Sequence, residues 1–295
     1  MKAPEIKKKI DEFFESRDYL RLSSNTQQSY YQALVFHYLA FIVEYQIEDL
    51  DLTVRRRWVI DNYIQYMRKK KISGKSIQLY LIILKIFYRW MSVPLQYTYR
   101  LDSEELKSHA AKRKGRWFTE SDIEKCLNYF NTDREVRNNI MVRLLVETGV
   151  RLNELANVRN MDVSVPERMI QIKVTKTMPR VVFFSPETQK LIIRYYDTHR
   201  TKKSDLLFSS RYNIKKLTKK MLDDLGLKTG RDGRGPHTFR HYCATWLFYV
   251  GSMQLMDIAR LLGDTPEMIE KCYLHPTPDI LRRKIDKAMA WDESK

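Results

Sequence analysis

Residues 148–155 read Thr-Gly-Val-Arg-Leu-Asn-Glu-Leu, which brings a glycine, an arginine and an acid close together. We predict a helix over about residues 137–148, directly before Gly149. Arg151 and Glu154 follow the glycine as candidate site residues. Taken alone, an arginine at such a place is usually a helix-surface residue, so its importance depends on the segments further along the chain.

A pair of short strands comes next. Residues 169–175 and 180–184 carry the apolar and β-branched pattern of strands, and a tight loop that holds Lys176 joins them. Helical patterns precede this hairpin, and helices are predicted again from Pro186 to the C-terminus. The sequence therefore predicts a mainly α fold with a small antiparallel sheet.

Two further segments complete an ordered set. Residues 237–241 read His-Thr-Phe-Arg-His, and residues 261–264 read Leu-Leu-Gly-Asp. Tyr273 stands nine residues after Asp264. Each segment by itself occurs by chance in many chains, and only their ordered combination indicates a site.

The residue types in this set suit attack on a phosphodiester by a protein nucleophile. Negative charge builds up on the non-bridging oxygens and on the leaving oxygen, so the site needs fixed cations and a proton donor. Arginines bind oxyanions bidentately and stay charged, whereas the pKa of a lysine or histidine can be tuned. A tyrosine can serve as the nucleophile. We expect no metal and no other cofactor, because this chemistry requires neither and the sequence shows no metal-binding carboxylate cluster.

The set resembles the tyrosine recombinase, or phage integrase, family over about residues 119–275. The resemblance implies Arg151 and Arg240 as the phosphate-binding arginines and Glu154 as a supporting acid. It implies Tyr273 as the nucleophile, which would form a 3′-phosphotyrosyl bond with DNA. It also implies a helical core-binding domain followed by a mixed α/β catalytic domain.

The same resemblance assigns the roles in proton transfer. Lys176 is implied as the general acid. Because the hairpin loop is slightly shorter than the family's common form, Lys173 is a lesser candidate for that role. His237 is implied as a proton-handling or phosphate-binding residue.

One position departs from the family pattern. The usual histidine or tryptophan after Leu-Gly is Asp264 in this chain. A carboxylate there should repel the scissile phosphate, so we expect instead that Asp264 or Thr265 caps a helix that begins at Pro266. Asp264 is kept in the candidate set by its position alone. His275 is either a replacement donor or a loop residue.

Charge indicates the partner. The 295 residues include 53 Lys and Arg against 36 Asp and Glu, a net charge of +17, which favours double-stranded DNA over an uncharged partner. A ribosome-associated or membrane-surface protein is the alternative that charge alone leaves open. No apolar stretch reaches the roughly 20 residues of a membrane span. Because three widely spaced cysteines suit a reducing compartment, we expect an intracellular protein of the cytoplasm or nucleoid: Cys126, Cys243 and Cys272.

The chain is long enough for two domains. Residues 1–101 are expected to form a helical DNA-binding domain, with helices over about 26–44, 54–70 and 75–91. Residues 102–116 are polar and basic and are predicted to be a linker, and residues 117–295 the catalytic domain. Basic clusters beside the helices and in the linker are candidate phosphate contacts: Arg55, Arg56, Arg57, Lys69, Lys70, Lys71, Lys75, Lys112, Arg113 and Lys114.

Residues 278–291 are amphipathic at helical spacing. This helix packs either on its own domain or on a neighbouring copy, since the resemblance implies a homo-oligomer, a dimer to tetramer, on DNA. The expected function is that of a site-specific recombinase. A type IB topoisomerase-like enzyme and a DNA-binding architectural or regulatory protein with a weakened site are the alternatives.

Overall fold

The computed structural model describes two stretches of the first hundred residues and most of the chain after residue 116. The chain divides into two compact units, Met1–Arg113 and Lys114–Lys295. The predicted linker, residues 102–116, lies outside the described residues, so the predicted domain bounds stay a prediction. The described residues are 3–47, 56–92, 117–175, 178–199, 202, 205–230, 232–274, 276 and 278–289, without the side chains of 3, 56, 57, 272, 287 and 288.

The described part of the first unit is helical, which confirms the three helices predicted there. A π-helical segment, Gln32–Leu39, joins the third and fourth helices. Ser73 caps the sixth helix, where its hydroxyl accepts a hydrogen bond from Ser76 N at 3.3 Å. The helices are α1 (Ala3–Glu15), α2 (Arg17–Leu20), α3 (Ser24–Tyr31), α4 (Ala40–Glu44), α5 (Arg56–Lys69) and α6 (Gly74–Trp90).

Aromatic side chains fill the core of this unit. Tyr38, Phe41, Tyr63 and Phe87 are all buried, and the Tyr38 and Tyr63 rings meet edge to face with centroids 5.3 Å apart. The hydroxyls of Tyr38 and Tyr88 are hydrogen-bonded to each other. Burying each large apolar side chain contributes about 1.5–3 kcal/mol. The helices of the unit are therefore held together by a core of their own.

The second unit is also mainly helical. Thr119 and Asp122 form a capping box at its first helix, since Asp122 N donates to Thr119 Oγ1 at 3.2 Å and Thr119 N donates to the Asp122 carboxylate at 3.0 Å. Its helices are α7 (Glu120–Tyr129), α8 (Val136–Thr148), α9 (Leu152–Leu155), α10 (Pro186–Thr198), α11 (Arg211–Asp224), α12 (Pro236–Tyr249), α13 (Leu255–Leu262), α14 (Pro266–Tyr273) and α15 (Pro278–Met289).

A small sheet lies beside these helices, which confirms the predicted mainly α fold. Strands β1 (Val163–Ser164), β2 (Met169–Ile172) and β3 (Arg180–Phe183) are antiparallel in the order β1-β2-β3. The pair β2 and β3 is the predicted hairpin, with Ile170 opposite Val182. The sequence did not predict β1, because two residues are too few to show an alternating pattern.

Helix α8 forms the centre of this unit. Ile140, Leu144 and Leu145 are fully buried, and α10 and α12 pack against the helix. The helix ends where Gly149 takes up a left-handed conformation. That end, at Thr148, is where the candidate site begins.

Candidate active site

Gly149 shapes the turn that leads out of α8. Its φ is +58°, in the left-handed region, and a Cβ there would lie 2.6 Å from Leu262 Cδ2. Only glycine fits both the conformation and the space. Because the chain turns sharply here, Arg151 becomes the N-cap of α9, and its side chain points toward the end of α13.

Arg151 makes its contacts with the end of α13 and with α9. Its Nη2 donates to Gly263 O at 3.0 Å and to Asp264 Oδ2 at 2.9 Å, and its Nη1 donates to Glu154 Oε1 at 3.1 Å. The side chain is 19% exposed, so it is fixed in place but still reached by solvent. A fixed, partly open guanidinium is suited to bind an anion from outside.

Arg240 lies on α12 and is fully buried. Its Nη1 donates to Gly149 O at 2.9 Å, and its Nη2 donates to Leu262 O at 2.9 Å and to Asp264 Oδ2 at 3.0 Å. Burying a charged group is costly unless it is hydrogen-bonded and paired, and here it is both. The guanidinium groups of Arg151 and Arg240 therefore meet at one carboxylate oxygen.

Tyr273, the last residue of α14, stands beside this arginine pair. Arg240 Nε donates to the Tyr273 hydroxyl at 3.1 Å, and the guanidinium carbon lies 5.2 Å from the ring centroid. The ring packs against His241 with centroids 4.6 Å apart, and the Tyr273 carbonyl accepts from Thr245 Oγ1 at 2.7 Å. Contacts at the hydroxyl, the ring and the backbone hold the tyrosine next to the arginine pair.

Glu154 and Arg180 form a buried pair beneath the site. Arg180 donates to both Glu154 oxygens, at 3.1 and 2.7 Å, and its Nε donates to Leu261 O at 2.7 Å. Arg151 N and Thr175 Oγ1 donate to the same carboxylate, at 2.9 and 2.8 Å. The sequence showed Arg180 only as the start of a strand and gave it no role. Its contacts make it a positioning residue that links β3, α9 and the end of α13.

These contacts lower the pKa of Glu154 to about 2, although its burial acts in the opposite direction. A carboxyl whose pKa is depressed in the folded state stabilises the fold above its unfolded pKa of 4.5. That stabilisation, about 3 kcal/mol by linkage, is lost as the pH falls from about 4.5 to about 2.

We expect Glu154→Gln to lower the free energy of unfolding by about 3 kcal/mol at pH 7, because it leaves a buried arginine without its counter-charge. The difference from the unsubstituted chain should shrink as the pH falls below about 4.5. Chemical unfolding of both proteins across this pH range measures it. Glu167→Gln, at an exposed turn residue, is the matched control. An equal effect of both substitutions would contradict the role given to the Glu154 contacts.

Among the candidates for proton transfer, His237 lies on α12 near the arginines, while Lys176 lies outside the described residues. Partial desolvation and the positive charges of Arg240 and Arg151 lower the pKa of His237, so its imidazole is neutral at pH 7. Lys173 is paired with Asp162, with Nζ and Oδ1 2.6 Å apart. The structure therefore shows a structural partner for Lys173, and the choice of general acid stays a prediction.

Of the two predicted caps of α14, Asp264 and Thr265, the structure shows the second. Thr265 is the cap, since its Oγ1 accepts from Met268 N at 3.3 Å. The Asp264 carboxylate turns instead toward Arg151 and Arg240, where it is 16% exposed. The sequence could not show this, because either residue is a good cap and the arginines are more than twenty residues away.

The structure describes only part of the remaining candidates. His275, Arg55, Lys112, Arg113 and Lys114 lie outside the described residues, as do the side chains of Arg56 and Arg57. In the first unit, Lys70 pairs with Glu44 at 3.1 Å and Lys69 Nζ donates to Tyr45 Oη at 3.4 Å, while Lys71 and Lys75 are exposed. Their contact with phosphate stays a prediction.

Within the described residues, no group of three or more His, Cys, Asp or Glu side chains lies close enough to hold a metal ion. None of the helices in the described part of the chain is both long and apolar enough to cross a membrane.

Solved structures with a similar fold show which class of protein this fold belongs to. The Tn1549 transposon integrase, in complex with transposon right end DNA, aligns with a TM-score of 0.68 at 16% identity, over 97% of this chain and 99% of that one. The XerH site-specific recombinase, bound to a palindromic difH substrate, aligns with a TM-score of 0.69 at 17% identity, over 96% of this chain and 84% of that one. The chain has the fold of the tyrosine recombinases.

Sequence comparisons then show the family. The model of the phage integrase family matches residues 116–279. The tyrosine recombinase XerA of Saccharolobus solfataricus is 32% identical over 231 residues, which cover 78% of this chain and 73% of that protein. The chain belongs to the phage integrase family, whose members here are tyrosine recombinases. This assigns it to the enzymes of site-specific DNA recombination and confirms the predicted resemblance.

Proposed function

We propose that this chain cleaves and rejoins strands of duplex DNA through a 3′-phosphotyrosyl bond at Tyr273. The observation that carries the proposal is the position of the Tyr273 hydroxyl, which accepts a hydrogen bond from Arg240 Nε at 3.1 Å. The same guanidinium donates through Nη2 to the Asp264 carboxylate, whose oxygen lies where we expect a phosphate oxygen to bind. One buried guanidinium thus contacts both the nucleophile and the place where a phosphate oxygen would bind. Family membership supports the same reaction.

The reaction follows from these positions. The Tyr273 oxygen attacks phosphorus, the bond from phosphorus to the 5′-oxygen breaks, and the leaving oxygen takes a proton from a general acid, for which Lys176 is the candidate. Arg151 and Arg240 stabilise the charge that develops on the non-bridging oxygens. His237, whose pKa is lowered, is the candidate either for accepting the proton that the tyrosine hydroxyl releases or for binding a phosphate oxygen. A 5′-hydroxyl of a second strand then attacks the phosphotyrosyl bond and restores a diester.

Duplex DNA is the proposed partner. The Tn1549 integrase and XerH structures are complexes with DNA, and this chain carries a net charge of +17.

We expect log K for DNA binding to fall linearly with log salt, with a slope of about −0.9 for each phosphate neutralised. Fluorescence anisotropy with a labelled duplex at a series of salt concentrations measures the slope. A flat response would contradict an extended phosphate interface.

We further propose that the chain assembles as a dimer to tetramer on DNA. Helix α15 packs on its own unit through buried Ile280 and through Arg283, whose Nη1 lies 2.7 Å from Glu120 Oε1. The same helix leaves Leu281, Ile285 and Met289 exposed. These apolar side chains are the surface that a second copy would cover, so both predicted alternatives for the helix have support.

Trapping the covalent bond tests the proposed function. The chain is incubated with a pool of duplexes that carry nicks at varied positions, so that the short strand released by cleavage diffuses away and resealing stops. A DNA-protein adduct on a denaturing gel, with the modified peptide located by mass spectrometry, is the expected result. Tight binding without an adduct would favour the DNA-binding alternative. In a separate assay on a supercoiled plasmid, relaxation without exchange between sites would favour the topoisomerase-like alternative.

A further inference from the structure

Asp264 is a negative charge at the centre of the arginine pair. Its Oδ2 accepts from Arg151 Nη2 at 2.9 Å and from Arg240 Nη2 at 3.0 Å. The two donors come from different elements, α12 and the segment that leads into α9, and they meet at one oxygen. A non-bridging phosphate oxygen held by both arginines would make the same two contacts, since guanidinium binds carboxylate and phosphate oxygens with similar geometry.

Electrostatics explains why the carboxylate sits there. Two guanidinium groups that converge on one point repel each other unless an anion lies between them. Arg240 is fully buried and cannot rely on solvent to screen its charge. Asp264 supplies that anion from within the chain. It therefore stabilises the arginine pair and at the same time occupies the position that a phosphate needs.

We propose that Asp264 is an internal competitor for the scissile phosphate. In the DNA-free chain its carboxylate closes the arginine pair, and a phosphate binds there only after the carboxylate moves aside. Asp264 lies between α13 and α14, and its backbone N donates to Ala259 O at 3.0 Å. The proposal requires the carboxylate to withdraw by a change of side-chain rotamer while that backbone contact stays in place. The inference rests on the proposed function, because it takes the arginine pair as the phosphate site.

Phosphate binding by Asp264→Asn tests the inference. The substitution removes the charge and keeps the size of the side chain. We expect inorganic phosphate to bind at least about tenfold more tightly to this variant than to the unsubstituted chain, because a like charge next to the anion is gone. Isothermal titration calorimetry at low ionic strength measures the Kd. Adding Arg151→Gln to the variant should remove the gain, which locates it at the arginine pair.

Asp257→Asn is the matched control. Asp257 lies on α13 with its side chain 49% exposed and pairs with Arg260, so the substitution removes the same charge close by. It should leave the phosphate Kd within about twofold, because solvent screens an exposed charge. An equal increase in phosphate affinity in both variants would show that the change in net charge alone is responsible, and it would overturn the proposal. Unchanged phosphate affinity in Asp264→Asn, with the fold intact by circular dichroism, would also overturn it.

Adduct formation on nicked duplex separates this inference from the proposed function. If phosphate affinity rises in Asp264→Asn but neither protein forms an adduct, the competitor role holds and the strand-transfer function fails. If both proteins form the adduct at the same rate and phosphate affinity is unchanged, the function holds and the competitor role fails. If the strand-transfer function and the competitor role both hold, Asp264→Asn should form the adduct about tenfold faster than the unsubstituted chain.

Discussion

Replacing Tyr273 with phenylalanine is expected to reduce adduct formation on nicked duplex DNA by at least about a thousandfold, because no oxygen remains to attack the phosphate. The aromatic contacts should survive, since the ring lies 4.6 Å from His241 and 5.2 Å from the Arg240 guanidinium. One hydrogen bond, from Arg240 Nε, is lost. The free energy of unfolding should therefore fall by about 1 kcal/mol.

Tyr249→Phe is the control for this result. Tyr249 lies on the same unit, where Lys284 Nζ is 4.9 Å from its ring centroid, outside the arginine pair. It should form the adduct at the unsubstituted rate. DNA affinity should be unchanged in both variants, as measured by anisotropy at one salt concentration. An adduct that persists in Tyr273→Phe would mean that another residue is the nucleophile.

The second large effect is expected from Arg240→Lys. The lysine side chain is shorter and ends in a single ammonium group. It cannot donate hydrogen bonds at the same time to all four acceptors of the guanidinium, which are Gly149 O, Leu262 O, the Asp264 carboxylate and the Tyr273 hydroxyl. The rate of adduct formation should fall by about a hundredfold to a thousandfold, the usual loss when one donor to a developing oxyanion is removed. The melting temperature should fall as well, because buried carbonyls lose their donor.

The exposed Arg260 provides the matched control for this substitution. Its side chain is 78% exposed and pairs with Asp257 at 3.7 Å, so Arg260→Lys makes the same change without touching the site. The control should leave both the rate and the melting temperature unchanged. To separate chemistry from folding, the rate of Arg240→Lys is measured at a temperature where circular dichroism shows a folded chain. An unchanged rate there would exclude Arg240 from transition-state stabilisation.

The local structure was largely predictable from the sequence. The three helices predicted in the first unit, the helix before Gly149 and the hairpin were all signalled by nearby residues, and the structure confirms them. The two-residue strand β1 was missed because it is too short to carry a pattern. Local structure of this kind depends on spacing and capping within a few residues, which a single sequence displays.

The order of the motifs in the sequence also indicated the candidate site residues. Arg151, Arg240 and Tyr273 lie close together in the structure, and their catalytic roles stay a prediction. The sequence also showed that Asp264 breaks the family pattern. What it determined by itself was which residue types are present, in what order, and on which local elements they lie.

Only the tertiary structure decided how these residues are paired. Arg180 meets Glu154 across 26 positions, and Asp264 meets Arg151 across 113. Neither pairing can be recognised from neighbouring residues in the sequence, because each depends on how β3, α9 and the end of α13 pack around α8. The physical reason is that an ion pair forms where packing places two charges within a few ångströms. A buried arginine needs a negative charge beside it, however far away along the chain that charge lies. In this chain the fold places Glu154 beside Arg180 and Asp264 beside Arg240.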